Sequence, residues 1–284
     1  MLDAASPYRH ITVNPIAGAL GAEIAGVDLS VPLADDVHVE IRAAWLEHLV
    51  LFFHDQPLSL DGYLAFARRI GVPAEYPFVP GLDGYREIIA VKKLPHENVN
   101  FGGIWHSDTT YLAEPPMASM LLAREIPPVG GDTLFANMYA AYDALSPAMR
   151  AMLDPLRGVS SSALADVSST REDRVRDNAS AGAPKSYEAI HPVVRSHPET
   201  GRKALYVNVA HTARFEGMTD EESRPLLQFL FQHQVRPEFT CRFRWRVGSL
   251  ALWDNRCAMH NPVNDYHGHL RLMHRITLRG DVPR

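Results

Sequence analysis

At 284 residues, with 46% hydrophobic and 21% charged residues, the chain has the make-up of a globular protein with a sizeable core. A formal net charge of −5 leaves no basic footprint for nucleic acid, and no apolar run approaches the roughly 20 residues a membrane helix needs. Two cysteines, Cys241 and Cys257, make no disulfide framework, and Met1 to His10 lacks a charged segment followed by an apolar one, so a reducing, cytoplasmic setting is expected.

Ile11 to Val13 and Ala22 to Val27 read as short strands separated by Pro15, Gly18 and Gly21. Asp35-Asp36 opens a helix towards His48, with Val39, Ala43, Leu46 and Val50 at helical spacing. Leu49 to Phe53 is apolar throughout and reads as a buried strand. Ser59 caps a second helix that ends at Gly71. Tyr76 to Gly84 is rich in Pro and Gly and reads as loop. Ile88 to Val91 is a strand, and Lys92 to Gly103 is a polar connection leading to Trp105-His106-Ser107-Asp108.

Pro116 to Ala123 is apolar enough for a core strand, and Gly130 to Phe135 reads as a turn and a strand. Asn137 caps a helix through Leu145, and Ser146-Pro147 starts another. Residues 158–188 are rich in Ser, Arg-Asp alternation and Gly-Ala-Pro, the pattern of a mobile loop, either a lid or a surface insertion. His191 to Ser196 and Ala204 to Val209 predict a hairpin. Thr219 and Glu222 form a capping box for a helix through Phe231. Strands follow at Phe239 to Arg244, Ser249 to Trp253 and Leu272 to Leu278. This is a mostly β chain with flanking helices, a sandwich or barrel, and no glycine fingerprint of a dinucleotide fold is present.

His106 and Asp108 are spaced i, i+2, so on a strand both side chains leave one face. Alone among 14 histidines, such a pair is usually a surface histidine beside a solvated carboxylate. His260, downstream of Trp253-Asp254-Asn255-Arg256, offers a third ligand. Two histidines and a carboxylate make the facial triad of non-haem Fe(II) oxygenases, which leaves positions open for chemistry. Arg271 and Arg275 stand four apart and share a face of an extended strand. A buried arginine is costly without an anion, and its fork suits a carboxylate.

Together these motifs, with Gly130-Gly131-Asp132-Thr133 and Gly21 to Leu29, resemble the taurine dioxygenase / 2,4-dichlorophenoxyacetate dioxygenase family, nearly end to end and in chain order. The resemblance implies a single catalytic domain over 1–284 with a double-stranded β-helix, a jelly-roll, cupin-like core. It implies Fe(II) held by His106, Asp108 and His260, with 2-oxoglutarate and O₂ as cosubstrates. Thr133 and Arg271 would take the distal carboxylate of 2-oxoglutarate, with Trp253 against it. Arg275 would face the substrate anion, although the roles of the two arginines can be exchanged. The substrate would also meet Phe78, Thr109, Gly103 and Ile104. Hydroxylation of a small anionic substrate would release succinate and CO₂, often with fragmentation of the product. Relatives commonly form dimers or tetramers, so a homo-oligomer is expected.

Where taurine-cleaving members carry a histidine after Tyr-Pro, this chain has Phe78. That moves weight from taurine to an aryloxyalkanoate, alkyl sulfate or larger sulfonate. Two other classes compete: a jelly-roll protein that binds a metal or anion without turnover, and a zinc hydrolase. The hydrolase lacks an obvious general base and leaves the paired arginines unexplained. Histidines 54, 191, 211 and 274 read as structural or surface residues.

Overall fold

Val50–Phe53 and Leu250–Asp254 run side by side, and every residue of both strands is buried. Successive side chains on a strand point to opposite faces, so a strand whose every residue is buried must be covered on both sides. Val50, Phe52, Ala251 and Trp253 enter one apolar cluster. Leu51, Phe53, Leu250 and Leu252 enter a second cluster on the other face.

The computed structural model describes residues 7–100, 102–164 and 187–284. Its largest sheet has eight strands, running Thr12–Pro15, Ala22–Ala25, Val50–Phe53, Leu250–Asp254, Ala118–Glu125, Arg271–Leu278 and Pro73–Ala74, with Ile89–Lys93 also paired to Arg271–Leu278. Helices Asp35–His48 and Leu60–Ile70 cover its outer face through Trp45, Ile41, Tyr63 and Phe66. A three-stranded sheet, Thr240–Phe243, Thr133–Asn137 and Ala258–Pro262, packs on the inner face through Phe135, Phe243 and Met259. Two sheets facing each other around one apolar layer are the jelly-roll architecture expected from the strand-rich pattern.

The first helix presents a different face from the expected one. Ile41, Ala44 and Trp45 are buried, whereas Val39 is 68% exposed. Apolar residues line both sides of this helix, and Trp45, the largest of them, decides which side docks. The capping box at Thr219 is formed, and its helix spans Asp220–His233. The predicted hairpin is shorter than its apolar pattern, pairing only Val194–Ser196 with Lys203–Leu205. Arg157–Ser161 pairs with Glu188–Pro192, so both ends of the expected 158–188 loop are strand. Residues 165–186 of that expectation lie outside the described residues. Among the described residues, no helix is long and apolar enough to cross a membrane.

At the end of the Leu250–Asp254 strand lies a buried ionic joint. Asp254 accepts from Arg256 Nε at 2.8 Å and Nη2 at 2.7 Å, and from His197 Nε2 at 3.0 Å. Arg256 also donates to Glu199 at 2.8 Å and lies 5.4 Å from the Trp45 ring centroid. One carboxylate, through Arg256 and His197, thus ties the sheet to the first helix and to the turn after Val194–Ser196. Removing one partner of a buried ion pair strands the others. Asp254→Ala should therefore lower the unfolding free energy by about 3–5 kcal/mol in denaturant titration.

Candidate active site

The His106-Ser107-Asp108 segment is not the strand its spacing suggests. His106 pairs with His260 in a single antiparallel bridge, and the chain turns at Asp108. His106 N–H donates to the His260 carbonyl at 3.0 Å, and His260 N–H returns the bond at 2.8 Å. Residues bridged in this way send their side chains to the same side. The two imidazoles accordingly lie 4.2 Å apart, centroid to centroid. Thr109 then takes φ of 44°, a left-handed conformation that costs a non-glycine residue about 1–3 kcal/mol.

His106, Asp108 and His260 each offer one ligand atom, and these lie within 4.8 Å of one another. His106 Nδ1 donates to the Ile104 carbonyl at 2.7 Å, which fixes the tautomer and leaves the Nε2 lone pair for a metal. That Nε2 is 3.6 Å from Asp108 Oδ1. The other carboxylate oxygen, Oδ2, accepts from Ser119 Oγ. Ser119 in turn accepts from Asn255 Nδ2 at 3.0 Å, and Asn255 Oδ1 accepts from Trp253 Nε1 at 2.9 Å and from Asp108 N–H at 3.4 Å. This chain of bonds orients the carboxylate so that one oxygen is held and the other faces the imidazoles.

Burial alone would raise the Asp108 carboxyl, but the Arg275 guanidinium and then the bond to His106 hold it well below the usual carboxylate range. Arg275 Nη1 lies 3.6 Å from Asp108 Oδ1. Burial, and next the neighbouring His106, push His260 down to about 3. The donor set therefore includes an ionised carboxylate and the neutral His260 imidazole, groups that suit a divalent transition metal. Gly102, at φ of 69°, covers His106 so closely that a Cβ there would come within 2.9 Å of Cε1.

A second cluster, His197, Asp254 and Cys257, is equally compact. Its groups are already spent: His197 Nδ1 accepts the Glu199 and Thr200 amides at 3.2 Å, and its Nε2 donates to Asp254. Burial raises the Cys257 thiol well above its ordinary range. This cluster is the structural joint described above.

Beside the triad, one cavity is bounded by His106, His260, Thr133, Trp253, Arg271 and Arg275. Both arginines are 5% exposed and leave the same face of Arg271–Leu278, as their spacing predicts. Arg271 Nε and Nη2 are buried without a hydrogen-bond partner. Burial lowers its pKa, and Tyr266 and Asp132 oppose the shift. Thr133 Oγ1 accepts from Trp245 Nε1 at 2.9 Å, so its own proton stays available to an acceptor in the cavity. Gly131, at φ of 72°, lets Arg271 pass; a Cβ there would sit 3.3 Å from Arg271 Nε. The Trp253 ring packs 4.8 Å from His260, while its N–H is committed to Asn255. Unmet guanidinium donors, a free hydroxyl proton and apolar walls fit a carboxylate-bearing cosubstrate.

Arg275 also lies 4.3 Å from the Tyr76 ring centroid. Phe78 sits among aromatics, 5.4 Å from Tyr76, 5.6 Å from Tyr111 and 5.3 Å from Tyr187. Tyr111 packs 4.9 Å from His211, which is 6.0 Å from His106 and bonded to Thr110 Oγ1 at 2.9 Å. Ile104 is 47% exposed, and the position of Gly103 is crowded by the Asn100 side chain. Sequence reasoning missed Ser119, Asn255, Tyr111, Tyr187 and the nearness of His211. Ser119 left one signal, a lone hydroxyl in an apolar strand. The others are recognisable only through contacts distant in sequence.

The model of the family described as "Taurine catabolism dioxygenase TauD, TfdA family" matches residues 12–277. An alpha-ketoglutarate-dependent sulfate ester dioxygenase of Pseudomonas putida is 37% identical over 99% of this chain and 93% of its own length. An alpha-ketoglutarate-dependent 2,4-dichlorophenoxyacetate dioxygenase of Cupriavidus pinatubonensis is 34% identical over 88% of this chain and 91% of its own. The crystal structure of a taurine dioxygenase from Burkholderia xenovorans superposes with a TM-score of 0.82 at 37% identity, covering 97% of this chain and 93% of that one.

Ser119→Ala should weaken divalent-metal binding about 10- to 100-fold in a competition titration, because the carboxylate loses the bond that orients it. In the metal-free protein, burial also pushes His211 down to about 3, like His260. The unfolded chain protonates both near their ordinary 6.5 and so binds more protons between these values. Stability should be fully present above pH 6.5 and should fall as the pH drops towards 3; calorimetry of the metal-free protein reads this as a declining Tm.

Proposed function

The chain belongs to the TauD, TfdA family, and from that premise we propose that it is an Fe(II)- and 2-oxoglutarate-dependent dioxygenase that hydroxylates a small anionic organic molecule. We assign the ferrous ion to His106, Asp108 and His260, the distal carboxylate of 2-oxoglutarate to Arg271 and Thr133, and the substrate's anion to Arg275. The observation that carries the reading is the meeting of three metal-competent ligand atoms and an unsatisfied buried guanidinium at one cavity.

Iron, 2-oxoglutarate and O₂ together supply the oxidising power to hydroxylate an unactivated C–H bond, with succinate and CO₂ released. The protein's own share is placement. The Arg271 fork and the Thr133 proton hold the cosubstrate by its far end. Phe135, Leu121 and Trp253 line the cavity and keep water from the reacting centre. Arg275 keeps Asp108 ionised and stands beside the aromatic set formed by Tyr76, Phe78, Tyr111 and Tyr187. An anion at Arg275 places the rest of the substrate against those rings. Thr109 belongs here through the turn that follows Asp108, and Gly103 and Ile104 through the loop that precedes His106.

Four aromatic rings favour a substrate with an apolar or aryl tail, such as an alkyl sulfate, a sulfate ester or an aryloxyalkanoate, over the small zwitterion taurine. Hydroxylation at a carbon bearing a sulfate or aryloxy oxygen gives a product that splits into a carbonyl compound and the freed sulfate or phenol. All of 1–284 is taken as one catalytic domain, supported by the strands shared between its two apolar clusters. The two unpaired, buried cysteines support a cytoplasmic setting, and self-association into a homo-oligomer completes the reading.

Anaerobic addition of 2-oxoglutarate to the Fe(II)-loaded protein should produce a weak visible charge-transfer band that is lost in Asp108→Ala and in His260→Ala. A protein that loads iron yet gives no band would sink the assignment. Under O₂, succinate release should be fastest with an alkyl sulfate or aryloxyalkanoate. Arg275→Ala should raise the KM for that substrate at least about 10-fold more than the KM for 2-oxoglutarate, and the reverse pattern would exchange the two arginines.

A further inference from the structure

Lys93 closes the Ile89–Lys93 strand directly opposite Arg271. Opposed residues of an antiparallel pair project from one face with their Cβ atoms about 4.5–5.5 Å apart, and like charges in that position repel. Both side chains are buried, at 3% and 5% exposure. Lys93 Nζ has no hydrogen-bond partner, and neither do Nε and Nη2 of Arg271. The two cations share one aromatic ring: Nζ lies 4.2 Å from the Tyr266 centroid and Arg271 Cζ lies 5.8 Å from it.

The surroundings do not neutralise this pair. Glu97 attracts Lys93 electrostatically, but one of its carboxylate oxygens already accepts the Leu94 N–H at 2.6 Å. Asp132 acts on Arg271, yet it accepts a bond from Arg242 at 2.6 Å. An ammonium with no acceptor costs stability in the interior, and a neutral side chain of the same length would fit at lower cost. Two such cations around one ring are stable together when an anion lies between their donors.

On the reading of the cavity given above, we infer that Lys93 is a second cation for the distal carboxylate of 2-oxoglutarate. Arg271 fixes the plane of that carboxylate through its fork. Lys93 adds a point charge that favours oxo acids ending in a carboxylate over those ending in a methyl group.

The test compares the Fe(II)-loaded parent with Lys93→Met, Lys93→Gln and Lys93→Arg by anaerobic titration of the visible band. The probes are 2-oxoglutarate and 2-oxobutyrate, which keeps the oxo-acid end and lacks the distal carboxylate. The neutral variants should bind 2-oxoglutarate roughly 10- to 100-fold more weakly and 2-oxobutyrate as the parent does, with Lys93→Arg recovering most of the loss. Without ligand, Lys93→Met should melt no lower than the parent, but its Tm gain on adding 2-oxoglutarate should shrink. Equal weakening of both oxo acids, or no change in either, overturns the inference and leaves the dioxygenase assignment standing. A parent that loads iron but shows no band overturns both.

Discussion

Asp108, Arg271, Arg275 and Lys93 are all more than nine-tenths buried, and a charge taken out of water is stable only beside another charge or a full set of hydrogen bonds. In this interior the requirement is met unevenly. Asp108 has Ser119, His106 and Arg275 around it. Arg271 and Lys93, at the far end of the same face of sheet, keep donors without acceptors. The imbalance has a direction: the surplus near the triad is positive, and what would cancel it is an anion. Preorganised positive charge is what a site needs if an oxo acid must be seated before anything reacts.

The two long-range ionic clusters divide the work of the fold. The one around Asp254 is fully saturated, and its histidine, arginine and carboxylate join a sheet, a helix and a turn. The one around Asp108 is saturated on one oxygen only. Asn255, the residue immediately after Asp254, serves the second cluster through Ser119 and Trp253. The same short segment therefore braces the structure with one side chain and aims a metal-competent carboxylate with the next.

The amino-acid sequence pointed to the three side chains that meet at the cavity, the shared face of Arg271 and Arg275 and the strand-rich class, because these follow from spacing or from the order of motifs. It misled where two apolar stripes compete, as in the first helix, where the bulk of Trp45 outweighs the alternative face of Val39. It also suggested a strand at His106, where one bridge suffices and Asp108 begins a turn. The strand Ala258–Pro262 escaped notice because it is short and ends in Asn261-Pro262, which reads as a break. Ser119, Asn255 and Lys93 have roles set by partners far away in the chain, and no local pattern announces such roles.

The two backbone bonds between His106 and His260 join segments separated by more than half the chain. Each flanking strand, Ala118–Glu125, Leu250–Asp254 and Thr133–Asn137, has to be in register before those two residues can meet. Contacts of such high sequence separation form late, since the loops they close cost the most entropy. An ion held by those two residues would close the same long loops, so it would gain its full set of protein ligands only once the hydrophobic layer has brought these strands together.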